Sequence, residues 1–283
     1  MIFTSEITSI RSSRVKAARQ LARRSSRQRT RLFLAEGPQA VREALAFAES
    51  GQRQPGGPDP GVVTELFVTG AAWSRHRHLV DQAAEAGAGV HAVSGEVMAD
   101  LAQTVTPQGL LAVCRFVDVP LQQLTAAGTA LAVLLANVRD PGNAGTVLRT
   151  ADAAGAGGVI FSDASVDPYN SKCVRASAGS LFHLPIVIGP TVAQAVAALR
   201  EAGLQVLAAD GAAGRQLDEL EPRGSLRRPT AWLFGNEAWG LPPDLLALAD
   251  QAVAVPIYGR AESLNLAAAA AVCLYASARA LRG

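Results

Sequence analysis

The sequence predicts an α/β protein of two domains, each long enough to bury a core of its own. Three observations carry that expectation. Apolar strand-like runs alternate with stretches of helical spacing along most of the 283 residues. A stretch of weak periodicity at 117–128, containing Pro120, interrupts the alternation. Beyond it strand and helix repeat regularly, which argues for a mostly parallel sheet covered on both faces. The expected division is 1–118 as one domain, 119–128 as a linker and 129–283 as the second domain.

Taken in order, residues 12–22 have the spacing of a basic helix and 32–35 of a short strand. Residues 38–49 form a helix with Val41, Ala44, Leu45 and Ala48 on one face. The segment 51–61 holds three prolines and four glycines and must be a loop. A strand at 62–68, a helix near 78–86, a short strand at 90–93, a helix at 95–101 and a strand at 110–116 complete the first domain. In the second, strands are expected at 131–136, 158–161, 184–188, 205–209, 231–235 and 252–255, with helices between. The last helix, 264–281, is too apolar over much of its surface to stand exposed.

Composition narrows the function classes. The longest apolar runs, 130–136 and 266–276, fall short of the roughly 20 residues of a membrane span, and the N-terminus lacks the apolar core of a signal peptide. A cytoplasmic protein with no membrane association is expected. Cys114, Cys173 and Cys273 are odd in number and form no CxxC, so they read as structural thiols; the histidines have no metal-ligand spacing, and no metal is expected.

The formal charge of +2 hides an asymmetry. Arg11, Arg14, Lys16, Arg19, Arg23, Arg24, Arg27, Arg29, Arg31 and Arg42 crowd the N-terminal segment, while the rest of the chain is acidic on balance. An Arg-rich end on such a body suits a phosphate-rich partner, although a solvated helix face has the same composition.

Three polar segments stand where an α/β sheet would place a ligand. The first, Asn137-Val138-Arg139-Asp140-Pro141-Gly142-Asn143, leaves a buried strand and opens an Ala-rich helix that carries Arg149. Asn143 falls where an N-cap is expected, and Arg149 is a cation that either snorkels or meets an anion. The second, Gly235-Asn236-Glu237, follows a strand with a glycine that admits close backbone approach and an acid that can hold a polar group. The third, residues 255–265, is a long polar turn in which Ser263 and Asn265 serve as helix caps or as site residues. No G-x-G-x-x-G follows a strand, which disfavours a dinucleotide fold.

In this order the three segments resemble the signature motifs of the SpoU (TrmH-like) family of RNA ribose 2′-O-methyltransferases, in the SPOUT superfamily. The run Asp167-Pro168-Tyr169-Asn170-Ser171-Lys172-Cys173-Val174-Arg175 looks like a further family segment, and Lys172 and Arg175 are candidates there for RNA contact. Phe33-Leu34-Ala35-Glu36-Gly37 and Thr106-Pro107-Gln108-Gly109 look like the ribosomal-protein-like substrate-binding domain of many members. The resemblance implies a C-terminal SPOUT-type parallel-sheet domain tied in a trefoil knot, preceded by a small α/β RNA-binding domain, in a homodimer. It implies S-adenosylmethionine as methyl donor, held by backbone groups at Gly235, Val255 and Leu264, with Glu237 shaping the site. Arg149 would act on the ribose 2′-hydroxyl, Asn143, Ser263 and Asn265 would support the geometry, and Arg14, Lys16, Arg19, Arg23, Arg24 and Arg139 would contact RNA. A guanidinium with a pKa above about 12 is a poor general base, so Arg149 better suits binding phosphate, orienting the hydroxyl and stabilising the developing alkoxide.

Large-subunit ribosomal RNA is the favoured substrate because of the appended N-terminal domain. Transfer RNA, a self-resistance enzyme acting on the ribosome, and a non-catalytic RNA-binding or ribosome-assembly protein are the alternatives. Leu266-Ala267, where members often carry Val-Ser, and the 51–61 insert depart from the pattern. Deleting 1–118 is expected to leave a folded, cofactor-binding remainder.

Overall fold

The computed structural model describes residues 6–49, 61–102, 104–126 and 128–283. These form two compact units, Met1–Val117 with Tyr169–His183, and Asp118–Pro168 with Leu184–Gly283. Residues 50–60, most of the expected loop at 51–61, lie outside the described residues.

The first unit begins with α1 (Ser13–Gln20) and α2 (Arg24–Thr30), followed by β1 (Leu32–Glu36), α3 (Pro38–Glu49), β2 (Val63–Val68), α4 (Gly70–Arg75), α5 (Arg77–Glu85), β3 (Gly89–Ala92), α6 (Gly95–Leu101) and β4 (Leu110–Arg115). The sheet order is β1-β4-β2-β3, with β4 antiparallel to both neighbours and β2 parallel to β3. Val15, Ala18 and Leu21 pack with Leu34, Phe67, Val97 and Leu101 to form one core.

Two elements differ from the sequence reading. The basic helix stops at Gln20, where Leu21 and Ala22 N–H groups turn back to the carbonyls of Ala18 and Arg19 at 3.0 and 3.2 Å, and buried Arg27 donates from Nη1 to the carbonyls of Leu21 and Ala22 just beyond, both at 2.9 Å. Arg27 therefore leaves the basic surface. The helix expected near 78–86 is α5, but a further helix that the sequence reading did not include, α4, precedes it and is parted from it at His76 (φ −122°, ψ 36°). Thr69 caps the first of them, its hydroxyl accepting from Ala72 N–H at 3.4 Å.

The second unit starts inside the expected linker, where α7 (Leu121–Ala126) buries Leu124 among the side chains under the sheet. β5 (Leu131–Leu135) leads into α8 (Pro141–Ala154) and β6 (Val159–Phe161). The chain then departs for α9 (Ser171–Ala176) and a 3-10 turn at Ser180–Phe182, both in the first unit, and returns at β7 (Ile186–Ile188). α10 (Val192–Glu201), β8 (Gln205–Ala209), β9 (Thr230–Phe234), α11 (Pro243–Leu246), β10 (Gln251–Val253) and α12 (Leu266–Arg282) follow. The six strands run in the order β10-β8-β9-β5-β6-β7, all parallel. β5 and β9 are buried at every residue, as the continuous apolar runs of a doubly covered sheet require. Strand order reverses between them, and in such sheets ligands bind beyond the carboxyl ends of the strands at that point.

The apolar surface of α12 is largely consumed within its own unit. Leu266, Ala270, Cys273, Leu274 and Ala276 are buried, and Ser277 Oγ accepts from Trp232 Nε1 at 2.9 Å. Val272 and Tyr275 remain exposed, at 44% and 49%. Burial pushes the Cys273 thiol up to about 12 and raises Cys114 as well, as befits structural thiols.

Within the first unit the 169–183 segment is firmly held. The Tyr169 ring stacks on Phe116 at 3.8 Å and lies 4.6 Å from Phe33, and its hydroxyl accepts from Val117 N–H at 2.8 Å. Cys173, Val174, Leu181 and Phe182 are also buried. Deleting 1–118 would strip these five side chains of their partners, at roughly 1.5–3 kcal/mol for each large one exposed. The expectation of a well-folded remainder is thus reversed: a 119–283 fragment should melt well below the full chain and aggregate on heating. A melting temperature equal to that of the full chain, by circular dichroism, would show that the segment refolds on the second unit.

Candidate active site

The first and second segments emerge side by side because β5 and β9 pair in parallel register, Leu135 opposite Phe234. The peptide after β5 is fixed from several directions. Ser162 and Ser165 hydroxyls accept from the N–H groups of Asn137 and Val138, both at 3.3 Å, and Asn236 Nδ2 donates to Asn137 O at 2.8 Å. Asn137 itself adopts a left-handed φ of 58°, a conformation Asn tolerates better than most residues.

Asp140, not Asn143, caps α8. Its carboxylate accepts from Asn143 N–H at 2.8 Å, and Pro141 takes the first turn, where its missing N–H costs nothing. The cap thereby releases the Asn143 side chain for other work. Asn143 Nδ2 donates to Glu237 Oε1 at 3.3 Å, and Asn143 Oδ1 accepts from Asn265 Nδ2 at 3.0 Å. Glu237 also accepts from the N–H groups of Arg139 and Asp140, each at 3.1 Å. Asn265 does two jobs, since its Oδ1 caps α12 by accepting from Ala267 N–H at 2.9 Å. All three segments are therefore bonded together, across sequence separations of 94 and 122 residues.

Beside this junction lies a cavity of about 370 Å³ whose walls include Gly235, Glu237, Val255, Ser263, Leu264 and Asn265. All the residues expected to hold the cofactor thus line one cavity, within the size range of small-molecule sites. Its lining residues include the apolar Phe234 and Ile257 beside the polar Asn236, Ser263 and Asn265 and the acidic Asp210. That composition fits an adenosine with a charged amino-acid tail. Arg149 sits on α8 about 9 Å along the axis from Asn143 and is exposed. Among the described residues it has no ion pair or hydrogen bond, so its charge is available to a ligand. Arg139 is exposed at the same junction.

The other candidate RNA contacts lie on the first unit. Arg14 faces Glu65 at 3.6 Å and Arg19 bonds both oxygens of Asp100 at 3.1 Å, while Lys16, Arg23 and Arg24 are exposed. Lys172 and Arg175 are on α9, which belongs to the first unit and contributes nothing to the walls of this cavity; Lys172 is exposed, and Arg175 pairs with Glu36 at 3.3 Å. Sequence reasoning missed Asp140, Asp210 and Asn236. The aspartate preceding Pro141 is a readable cap signal, and Asp210-Gly211 after the buried strand β8 is a polar, glycine-marked turn of the same kind as Gly235-Asn236.

Among the described residues no group of His, Cys, Asp and Glu could hold a metal, and no helix is long and apolar enough to cross a membrane.

Comparison with known proteins agrees with this geometry. Residues 130–275 match the SpoU rRNA Methylase family, and 34–120 match a domain described as RNA 2′-O ribose methyltransferase substrate binding. The 23S rRNA (guanosine(2553)-2′-O)-methyltransferase RlmP of Bacillus subtilis is 33% identical over 270 residues, covering 95% of this chain and 98% of its own. The AdoMet-bound rRNA methyltransferase of Sinorhizobium meliloti superposes with a TM-score of 0.80 at 31% identity, over 97% of each chain. The SpoU methyltransferase AviRb of Streptomyces viridochromogenes, also in complex with AdoMet, gives 0.78 at 29% identity over 95% of this chain and 98% of that one. The chain is a member of the SpoU family of RNA 2′-O-ribose methyltransferases, with its substrate-binding domain attached.

Proposed function

We propose that the protein transfers a methyl group from S-adenosylmethionine to a ribose 2′-hydroxyl of large-subunit ribosomal RNA. The observation that carries this reading is the bonding of Glu237 and Asn265 to Asn143, which gathers three distant segments around one cavity. The cofactor would supply an electrophilic methyl carbon, with Gly235, Val255 and Leu264 contributing backbone contacts and Asp210 an acceptor for hydroxyl or ammonium protons. Only RNA has a 2′-hydroxyl to receive it.

In this reading Arg149 binds the phosphate beside the target ribose, orients the hydroxyl oxygen and stabilises its developing negative charge. The hydroxyl proton leaves to water or to the phosphate, since a guanidinium is a poor proton acceptor. Glu237 acts by holding the 139–143 turn through backbone and amide bonds, so its work is positional. Ser263, exposed at the cavity wall, offers a hydroxyl to cofactor or ribose. Arg14, Lys16, Arg19, Arg23 and Arg24 supply the phosphate-binding surface of the first unit, and Arg139 and Lys172 add further cations. Acting on ribosomal RNA, the enzyme would work in the cytoplasm. Mapping 2′-O-methylation across total RNA with and without the gene tests the reading. One ribosomal position should lose its methyl group; loss at a transfer RNA position instead would move the substrate, and no loss would favour a non-catalytic RNA-binding protein.

We also infer a knotted C-terminal segment and a homodimer. The dimer rests on a narrow stripe, Ala268, Val272 and Tyr275, at successive turns of the exposed face of α12. Light scattering at low micromolar protein should report twice the chain mass, and Val272→Glu should shift it to one. A monomer with full activity would overturn the dimer.

A further inference from the structure

The first unit contains a second cavity, of about 240 Å³, that shares no lining residue with the cavity beside the β5–β9 junction. Glu36, at the end of β1, lines it together with Thr104, Thr106, Gln108 and Arg175. The Glu36 side chain is only 8% exposed. One carboxylate oxygen accepts from Arg175 Nη1 at 3.3 Å, and the other from the Thr104 hydroxyl. Arg175 reaches this position because the 169–183 segment leaves the methyltransferase fold to complete the first unit.

The cleft stays open, and its rim holds two unusual backbone conformations: Gly37 at φ 91° and the non-glycine Ala178 at φ 49°. A β-carbon at Gly37 would press on Gln108 Oε1 at 3.0 Å. Residues held in the left-handed region gather where a site needs a particular shape. The volume is below the roughly 300 Å³ at which drug-sized pockets begin, which suits one planar base better than a whole nucleotide.

The polar groups select among bases. A carboxylate has about four acceptor positions, and two remain on Glu36 for a pair of N–H donors. Arg175 spends one nitrogen on Glu36 and keeps the rest of its fork, the group that most often reads guanine O6 and N7. Guanine alone combines two adjacent N–H donors, at N1 and N2, with that pair of acceptors. Sequence-specific RNA recognition relies on unpaired bases splayed out of the strand. We propose that this cavity receives one unpaired guanine of the RNA substrate and thereby sets the register of the enzyme on its target; the inference rests on the RNA-methyltransferase reading above.

The test is kethoxal footprinting, which modifies unpaired guanine at N1 and N2, on transcribed large-subunit rRNA with the full-length protein. Arg175→Lys keeps the ion pair to Glu36 but loses the fork, and Gln108→Ala alters only the exposed rim. Wild type should protect a discrete unpaired guanine outside the methylated nucleotide. Arg175→Lys should lose that protection and bind about tenfold more weakly, the size expected of one bidentate pair, with an unchanged salt dependence because no charge is lost. Inosine at the protected position, lacking N2, should weaken wild-type binding in the same way. RNA binding without guanine protection, or equal protection by Arg175→Lys, overturns the guanine site and leaves the RNA reading intact. Failure of wild type to bind any RNA overturns both.

Discussion

Arg149→Ala should reduce kcat by about 100- to 1000-fold, the range seen when one preorganised donor to a developing oxyanion is removed. The residue is exposed, caps nothing and pairs with nothing among the described residues, so the substitution should leave the melting temperature within a degree or two. S-adenosylmethionine affinity, read by calorimetry, should also be unchanged, because Arg149 is not among the residues that line the cavity proposed for it. Arg149→Lys separates two roles: it restores phosphate attraction but not the planar fork, so it should recover RNA affinity more than turnover. Near-normal turnover by the alanine variant would remove Arg149 from the chemistry altogether.

Gly235→Ala should be damaging for a different reason. A β-carbon there would lie against the Gly240 carbonyl and 2.7 Å from Leu241 N. Both are backbone and cannot swing aside. The turn from Asn236 to Gly240 is closed by a reciprocal pair of N–H···O bonds of 2.9 Å, and Glu237 projects from it. One methyl group would therefore displace the carboxylate that fastens the 139–143 turn. The expected result is at least a tenfold weaker cofactor affinity, a still larger loss of turnover, and about 1–3 kcal/mol of lost stability from overpacking. Cofactor affinity equal to wild type, by the same calorimetry, would show that the turn has room to adjust. From sequence, Gly235 has the task of letting a ligand approach; in the structure the closest approach is by the protein's own turn.

The parallel sheet and its order of elements were legible because β5 and β9 are unbroken apolar runs and α8 begins with Asp-Pro. The site residues were legible as motifs, since polar, glycine-punctuated turns after buried strands contribute little to packing and stand open to a ligand. Their bonding was not. Nothing local says that Asn143 and Asn265 meet, because the strand order that brings them together depends on pairings between elements about a hundred residues apart. Arg27 was counted with the basic cluster because a buried guanidinium spent on two carbonyls has the same composition as an exposed one. The apolar character of α12 was read correctly, and Leu266, Ala270, Cys273, Leu274 and Ala276 are buried within the chain itself.

The path of residues 169–183 also bears on the order in which the molecule can assemble at the ribosome. Large chains usually fold domain by domain from the N-terminus as they are made. Here the first unit lacks the stacked Tyr169 ring, the Phe182 side chain and the partner of Glu36 until His183 has been made. At about 5–20 residues per second, that is several seconds after Val117 has been added, and the chain between carries β5, α8 and β6 with no β9 yet to lie beside β5. Two incomplete cores must wait together. Apolar surface of both units is thus uncovered in the nascent chain until residue 183 is made, where two domains contiguous in sequence would close one after the other.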